Sequence, residues 1–308
     1  MPVAPNLAVF GTLFVMMGTT NGFTPASQAL VATTTPGRRL GSSLAWVQTG
    51  SLLGGALGPA LGAVFAGLLP RYRDLLFVNA FFVMGAGLLA LFFAREDYTR
   101  TGERLRFHLL RDLRVILAIP NLVVLYLTLF AYSLTYYGSG AIMTVFILEL
   151  MPGASAGALN FWVGAVAVVF TIGSAALVPA WGHAMSRLSP GRLLTVCLLA
   201  GGVAGLPVIL VQSPLQLALA RFATGVCTVG IGPCALALIK ARAPKGMEGR
   251  VLAYSAAFSA LGMGAGPFIA GQIGPWLGLR AYFLFNSLLL LGLMAAWIRS
   301  KSRTPEAE

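Results

Sequence analysis

Residues 20–36 read TNGFTPASQALVATTTP, and residues 228–244 read TVGIGPCALALIKARAP. At this offset of 208 positions (228 minus 20), Thr20, Gly22, Pro25, Ala29, Leu30 and Pro36 recur as Thr228, Gly230, Pro233, Ala237, Leu238 and Pro244. The correspondence continues without a gap, since Gly41, Ala45, Gly54, Gly58, Pro59 and Phe77 meet Gly249, Ala253, Gly262, Gly266, Pro267 and Phe285. A repeat of this length means that one structural unit occurs twice in the chain. Residue 1 aligns with Ile209, inside the second unit, so the first unit is expected to lack its opening third.

Composition says where such units reside. The chain is 57% hydrophobic and 10% charged, with a mean hydropathy of +0.84. Water-soluble domains carry about 25% charged residues, so this chain has too little polar surface to face water on all sides. Charged residues bound nine uncharged windows, at 1–37, 40–70, 75–94, 115–148, 150–186, 193–220, 222–239, 251–279 and 281–298. Each approaches the ~20 residues that carry a helix across hydrocarbon, and helices satisfy their own backbone in lipid. Nine spans are predicted, near 6–34, 41–69, 75–94, 120–148, 157–182, 193–211, 214–239, 250–273 and 281–298. Duplicated membrane units moving against each other around a central site are a common plan of secondary transporters.

The net charge of +12 does not mark a nucleic-acid binder. If the first span runs outside to inside, 17 of the 21 Lys and Arg fall on the inner side, among them Arg38, Arg39, Arg104, Arg106, Lys240 and Arg250. Such asymmetry follows the positive-inside rule and places the C-terminus in the cytoplasm. The polar segment 95–114 admits two readings, an amphipathic surface helix or an irregular charged loop, and divides the halves in either case. The domains are therefore read as 1–94 (incomplete first half, three spans), 95–119 (cytoplasmic linker), 120–299 (second half, six spans) and 300–308 (cytoplasmic tail). Cys197, Cys227 and Cys234 lie in apolar stretches without a Cys-x-x-Cys pair, and no disulfide framework is expected. No Lys or Arg precedes the first apolar stretch, so no cleavable signal peptide is expected.

Gly50, Gly54, Gly58 and Gly62 form a ladder at a spacing of four, with Pro59 inside it; the second copy has Gly262, Gly266 and Pro267, with Ala270 at the last rung. Four-residue spacing puts the glycines on one helix side, where a neighbouring backbone can approach closely. The segment Gly54-Gly-Ala-Leu-Gly-Pro-Ala-Leu-Gly62 resembles the antiporter motif on the fifth helix of the major facilitator superfamily. The stretch from Gly22 to Ala32 with Pro36 resembles that family's fourth helix. Ser213-Pro-Leu-Gln-Leu, Arg221-Phe, Gly225 and Gly249-Arg-Val-Leu-Ala-Tyr-Ser255 are similar to its proton-driven multidrug exporters.

The resemblance implies an all-α polytopic fold with about nine of twelve transmembrane helices, equivalent to helices four to twelve. It further implies a monomeric transporter of the cytoplasmic (inner) membrane, exporting small lipophilic compounds in exchange for protons by alternating access. The alternatives are transport of a metabolite such as a sugar or organic acid in the same fold, or an inactive fragment. A misplaced start or a fragment would explain the missing front, and the 308-residue chain alone is expected to be unstable or inactive. The groove of Gly262 and Gly266 is expected to lack its usual partner. The loop at 182–192 carries Ser186 and Ser189 where the family pattern has an Asp and a Gly, and Leu13 stands where the fourth helix usually carries an arginine.

Several residues are candidates for a substrate cavity. Arg221 interrupts an apolar span, and a buried Arg costs ~2.5–3.5 kcal/mol on insertion scales. It either snorkels to the outer boundary or faces a cavity, binding anionic substrate or influencing a proton carrier. Thr224 and Thr228 share its face. Tyr126, Phe130, Ser133 and Tyr137 form a stripe that either packs between helices or walls a cavity for lipophilic cations and neutral drugs. Gln28, Gln48 and Asn160 are polar groups within spans, suited to interhelical hydrogen bonds. Trp46 and Tyr254 hold matching repeat positions before the glycine ladders. Glu149 ends the fourth span, either as an interfacial carboxylate or as a proton carrier.

No enzyme constellation is apparent. Gly262-Met-Gly-Ala-Gly266 is not followed by the Lys-Ser/Thr of a phosphate loop. His108 and His183 lack metal-ligand spacing, and no span carries a carboxylate pair or a Ser-His arrangement at helical spacing. No metal, cofactor or catalytic residue is expected; the expected partners are a small-molecule substrate, protons and lipid.

Overall fold

The computed structural model describes residues 71–93, 119–176, 188–243 and 248–303, together with residues 9, 27, 30, 50, 53–55, 57, 58, 61, 62 and 64–69. Among these residues the regular elements are helices, as an apolar chain that must satisfy its own backbone requires. The chain divides into two compact units, residues 1–105 and 106–308. Most of the first two predicted spans and the connector 95–114 lie outside the described residues.

In the first unit α1 spans Tyr72–Phe93 and is apolar on nearly every side. Such a helix suits lipid. In the second unit α2 spans Pro120–Leu150, α3 Ala156–Ala176, α4 Pro190–Gly205, α5 Pro214–Thr228, α6 Ile231–Ala241, α7 Glu248–Leu277 and α8 Leu279–Arg303. A 3₁₀ turn, Leu206–Leu210, prolongs α4. Helix α5 passes into α6 at Val229–Gly230, so the two form one candidate span, Pro214–Ala241. Seven described stretches are long and apolar enough to cross a membrane, and they match the third to ninth predicted spans.

The helix limits follow local chemistry. Proline stands at the start of α2, α4 and α5, where its missing N–H costs nothing. At α5 the Ser213 hydroxyl accepts from the Gln216 N–H at 3.4 Å, and Gln216 Oε1 accepts from the Gln212 N–H at 2.8 Å. These reciprocal bonds resemble a capping box. Gly278 joins α7 to α8 at φ 84°, a conformation open to glycine without a steric cost.

Small residues set the helix contacts of the second unit. The most extensive is between α2 and α7. A Cβ at Gly262 would collide with the Phe130 carbonyl, and one at Gly266 with the Leu134 carbonyl. Ala270, one turn further, is fully buried. Within the second unit this groove is filled by α2. The same device joins α3 to α5, where a Cβ at Gly173 would lie 2.8 Å from the Phe222 carbonyl and one at Gly225 2.5 Å from the Phe170 carbonyl. At one end of the bundle Arg280 donates to the carbonyls of Ile209 and Val211, each at 2.8 Å. Those carbonyls close the α4 stretch and have no intrahelical partner.

Two apolar clusters fill the second unit. One joins Leu122, Leu125, Tyr126, Leu194, Cys197, Ile231 and Trp297, and the other joins Ile142, Phe146, Val166, Val208, Leu217 and Phe283. Along every helix that contributes to both, a stretch with polar residues separates them.

Candidate functional site

That intervening layer lines a partly open cavity of about 40 Å³. Helix α2 reaches it with Tyr132, Thr135, Tyr136 and Ser139; α5 with Arg221, Thr224 and Thr228; α8 with Asn286 and Ser287. Gly201 and Gly205 of α4 form its floor, and Phe170 of α3 forms a wall. The contributing residues recur at three- and four-residue steps, which keeps them on one face of each helix.

Arg221 is 7% exposed. Its guanidinium lies over the Phe170 ring, 4.3 Å from the centroid, a cation–π contact worth about 2 kcal/mol when desolvated. Among the described residues no carboxylate pairs with it and no hydrogen bond satisfies it; Nε is buried without an acceptor. The Thr224 and Thr228 hydroxyls donate to the carbonyls of Ala220 (2.7 Å) and Thr224 (2.8 Å). They therefore line the cavity without donating into it. Asn286 Nδ2 donates to Ser139 Oγ at 3.1 Å, while Asn286 Oδ1 and Ser287 Oγ are buried without partners.

The residues singled out from sequence are distributed unevenly. Arg221, Thr224 and Thr228 meet at the cavity. Tyr126 is fully buried in an apolar cluster; its hydroxyl donates to the Val251 carbonyl at 2.9 Å and its ring stacks on Phe258 at 5.1 Å. Phe130 faces Gly262 through its carbonyl, and Tyr137 is 43% exposed. Tyr254 packs beside the Tyr126 cluster. Asn160 is half-buried in α3, and Glu149 is exposed at the end of α2. Gly50, Gly54, Gly58 and Gly62 are helical residues of the first unit. Pro59, Gln28, Trp46 and Gln48 lie outside the described residues. Tyr136, Ser139, Asn286 and Ser287 escaped the sequence reading. Their signal was present, since Asn286-Ser287 interrupts the window 281–298 and Ser139 the window 115–148.

A cavity of this size admits a water molecule or an ion of a few heavy atoms. Pockets for drug-sized ligands measure about 300–1,000 Å³, so a lipophilic compound needs a different or a widened space. Among the described residues no group of His, Cys, Asp or Glu could hold a metal ion.

Comparison with known proteins agrees with this architecture. The chain is 29% identical to multidrug resistance protein MdtG of Salmonella paratyphi C (strain RKS4594) over 301 residues, covering 96% of this chain and 73% of that protein. It is equally similar to MdtG of Salmonella arizonae, 29% over 302 residues, with the same coverage of both chains. Its fold resembles the human organic anion transporter MFSD10 (TETRAN) at a TM-score of 0.68 and 19% identity, covering 96% of this chain and 72% of that one. It also resembles a bacterial homologue of the human lysosomal transporter Spinster in its inward-facing, unoccupied conformation, with a TM-score of 0.62, 16% identity and coverage of 92% and 76%. Residues 1–156 and 125–308 each match the Major Facilitator Superfamily. With its multi-pass helical fold, duplicated units and polar intramembrane layer, the chain belongs to the Major Facilitator Superfamily of membrane transporters.

Proposed function

We propose that this protein exports small lipophilic compounds across the cytoplasmic membrane, driven by proton entry. The observation that carries this reading is the 29% identity to multidrug resistance protein MdtG across 96% of the chain. A likeness that runs through nearly every span, and not only through one motif, supports a shared transport cycle. In this reading residues 1–94 and 120–299 are the two halves that rock against each other, and the segment between them is a cytoplasmic linker. The inner-side excess of Lys and Arg supports a cytoplasmic C-terminus. The glycine ladder Gly50 to Gly62 serves as a packing surface during that motion.

Arg221 is the strongest candidate for coupling. Whenever its charge is uncompensated, a buried cation disfavours protonation of groups nearby, so its field would help to discharge a proton carrier that approaches it. The test is efflux of a fluorescent lipophilic cation from an exporter-deficient bacterium expressing the gene with its native upstream region. Expression should lower dye accumulation, and a protonophore should abolish the difference. Accumulation equal to that of the empty-vector strain would sink the export reading. Efflux that survives the protonophore would sink the coupling.

A further inference from the structure

The polar layer of the second unit contains a charge without a counter-charge among the described residues. Arg221 is buried, and no described carboxylate lies within ion-pair distance of it. The face of Phe170 offsets part of the desolvation, but a ring quadrupole does not neutralise a full positive charge. Buried cations are normally paired, because an isolated charge in a low-dielectric interior costs several kcal/mol.

The groups around the cavity include polar atoms without partners among the described residues. Besides the guanidinium, the Ser287 hydroxyl is buried without a described hydrogen-bond partner, and Tyr132 and Tyr136 line the same cavity. One buried acceptor, Asn286 Oδ1, also lacks a partner. The hydroxyls can donate or accept, whereas the guanidinium only donates and carries a charge, and a negatively charged ligand satisfies both of its needs. Water alone would meet the hydrogen bonds and leave the charge. The volume of about 40 Å³ limits the ligand to a few heavy atoms.

We propose that this layer is a resident anion site: a small monovalent anion, of the size of chloride or formate, sits in the cavity against Arg221 and within reach of the Ser287 and Tyr136 hydroxyls. One water beside it supplies the donor that Asn286 Oδ1 lacks. The anion holds α2, α5 and α8 together at the level where the two apolar clusters part. The proposal does not rest on the export reading, and its test measures no transport.

The test is thermal unfolding of the purified full chain in detergent, followed through exposure of its cysteines to a thiol-reactive dye. It is run in sodium chloride, sodium formate and sodium gluconate at equal ionic strength. Chloride or formate should raise the midpoint by about 2–4 °C over gluconate, saturably; gluconate is too large to enter. The stronger of the two distinguishes a halide site from a carboxylate site. In Arg221→Gln the difference between salts should vanish, and the midpoint in gluconate should equal or exceed the wild-type value, because an unpaired buried charge has gone. Ser287→Ala should raise the half-saturating concentration about fivefold, the loss of one hydrogen bond. Equal wild-type midpoints in the three salts would overturn the proposal, as would an unchanged salt difference in Arg221→Gln. If Arg221→Gln does not fold, an unchanged half-saturating concentration in Ser287→Ala overturns it instead.

Discussion

The seam between α2 and α7 makes a matched pair of substitutions decisive. Gly262 and Gly264 belong to the same apolar turn of α7, two residues apart, and have opposite surroundings. A Cβ at Gly262 would collide with the Phe130 carbonyl oxygen and lie 2.9 Å from its carbon and 3.0 Å from the Ser133 Cβ. Two of these three neighbours are backbone atoms inside a helix, so relief requires the helices to separate. At Gly264 no described atom lies within 4 Å of the added methyl.

Overpacking a close contact costs about 1–3 kcal/mol, and replacing a mid-helix glycine by alanine returns about 1 kcal/mol. Gly262→Ala should therefore lose up to about 2 kcal/mol, whereas Gly264→Ala should gain up to ~1. The two variants should differ by about 1–3 kcal/mol, which for a unit near 200 residues separates their unfolding midpoints by about 2–12 °C. Cysteine-exposure melting of the full chain in detergent reads the difference directly. Equal midpoints, or Gly264→Ala as the less stable variant, would refute the claim that these glycines exist for backbone approach.

Three further outcomes follow from the same structure. Tyr282 Oη donates to the Leu134 carbonyl at 2.9 Å beside Gly138, so Tyr282→Phe should cost about 0.6–1 kcal/mol, read as a lower melting midpoint. Arg280→Ala strips two donors from the carbonyls of Ile209 and Val211; about 1–2 kcal/mol should be lost, with faster amide exchange near residues 206–213 as its local signature. In a background without native cysteines, Ser155→Cys should react with an impermeant thiol reagent in intact cells, and Glu306→Cys only after permeabilisation. The reverse pattern would invert the proposed orientation.

The membrane class, the duplication, the positions of the described spans and the family all follow from residues read in order. The reason is physical: insertion into a bilayer depends on the apolarity of about 20 consecutive residues, and the 208-residue echo needs no coordinates. Helical spacing likewise placed Arg221, Thr224 and Thr228 on one face, and those three residues meet at the cavity. What stands opposite a face was beyond reach of the sequence. Tyr126 and Tyr136 lie on the same helix in similar apolar surroundings, yet one is bonded to Val251 within a core and the other lines the polar layer. Ser139 and Asn286 are 147 positions apart and meet at 3.1 Å. Gly262 and Gly266 declared a groove, and only the packed bundle showed that α2 fills it. Periodicity fixes the direction in which a side chain leaves its own helix; its neighbour is fixed by the register and rotation of the other helices, which depend on all the contacts at once.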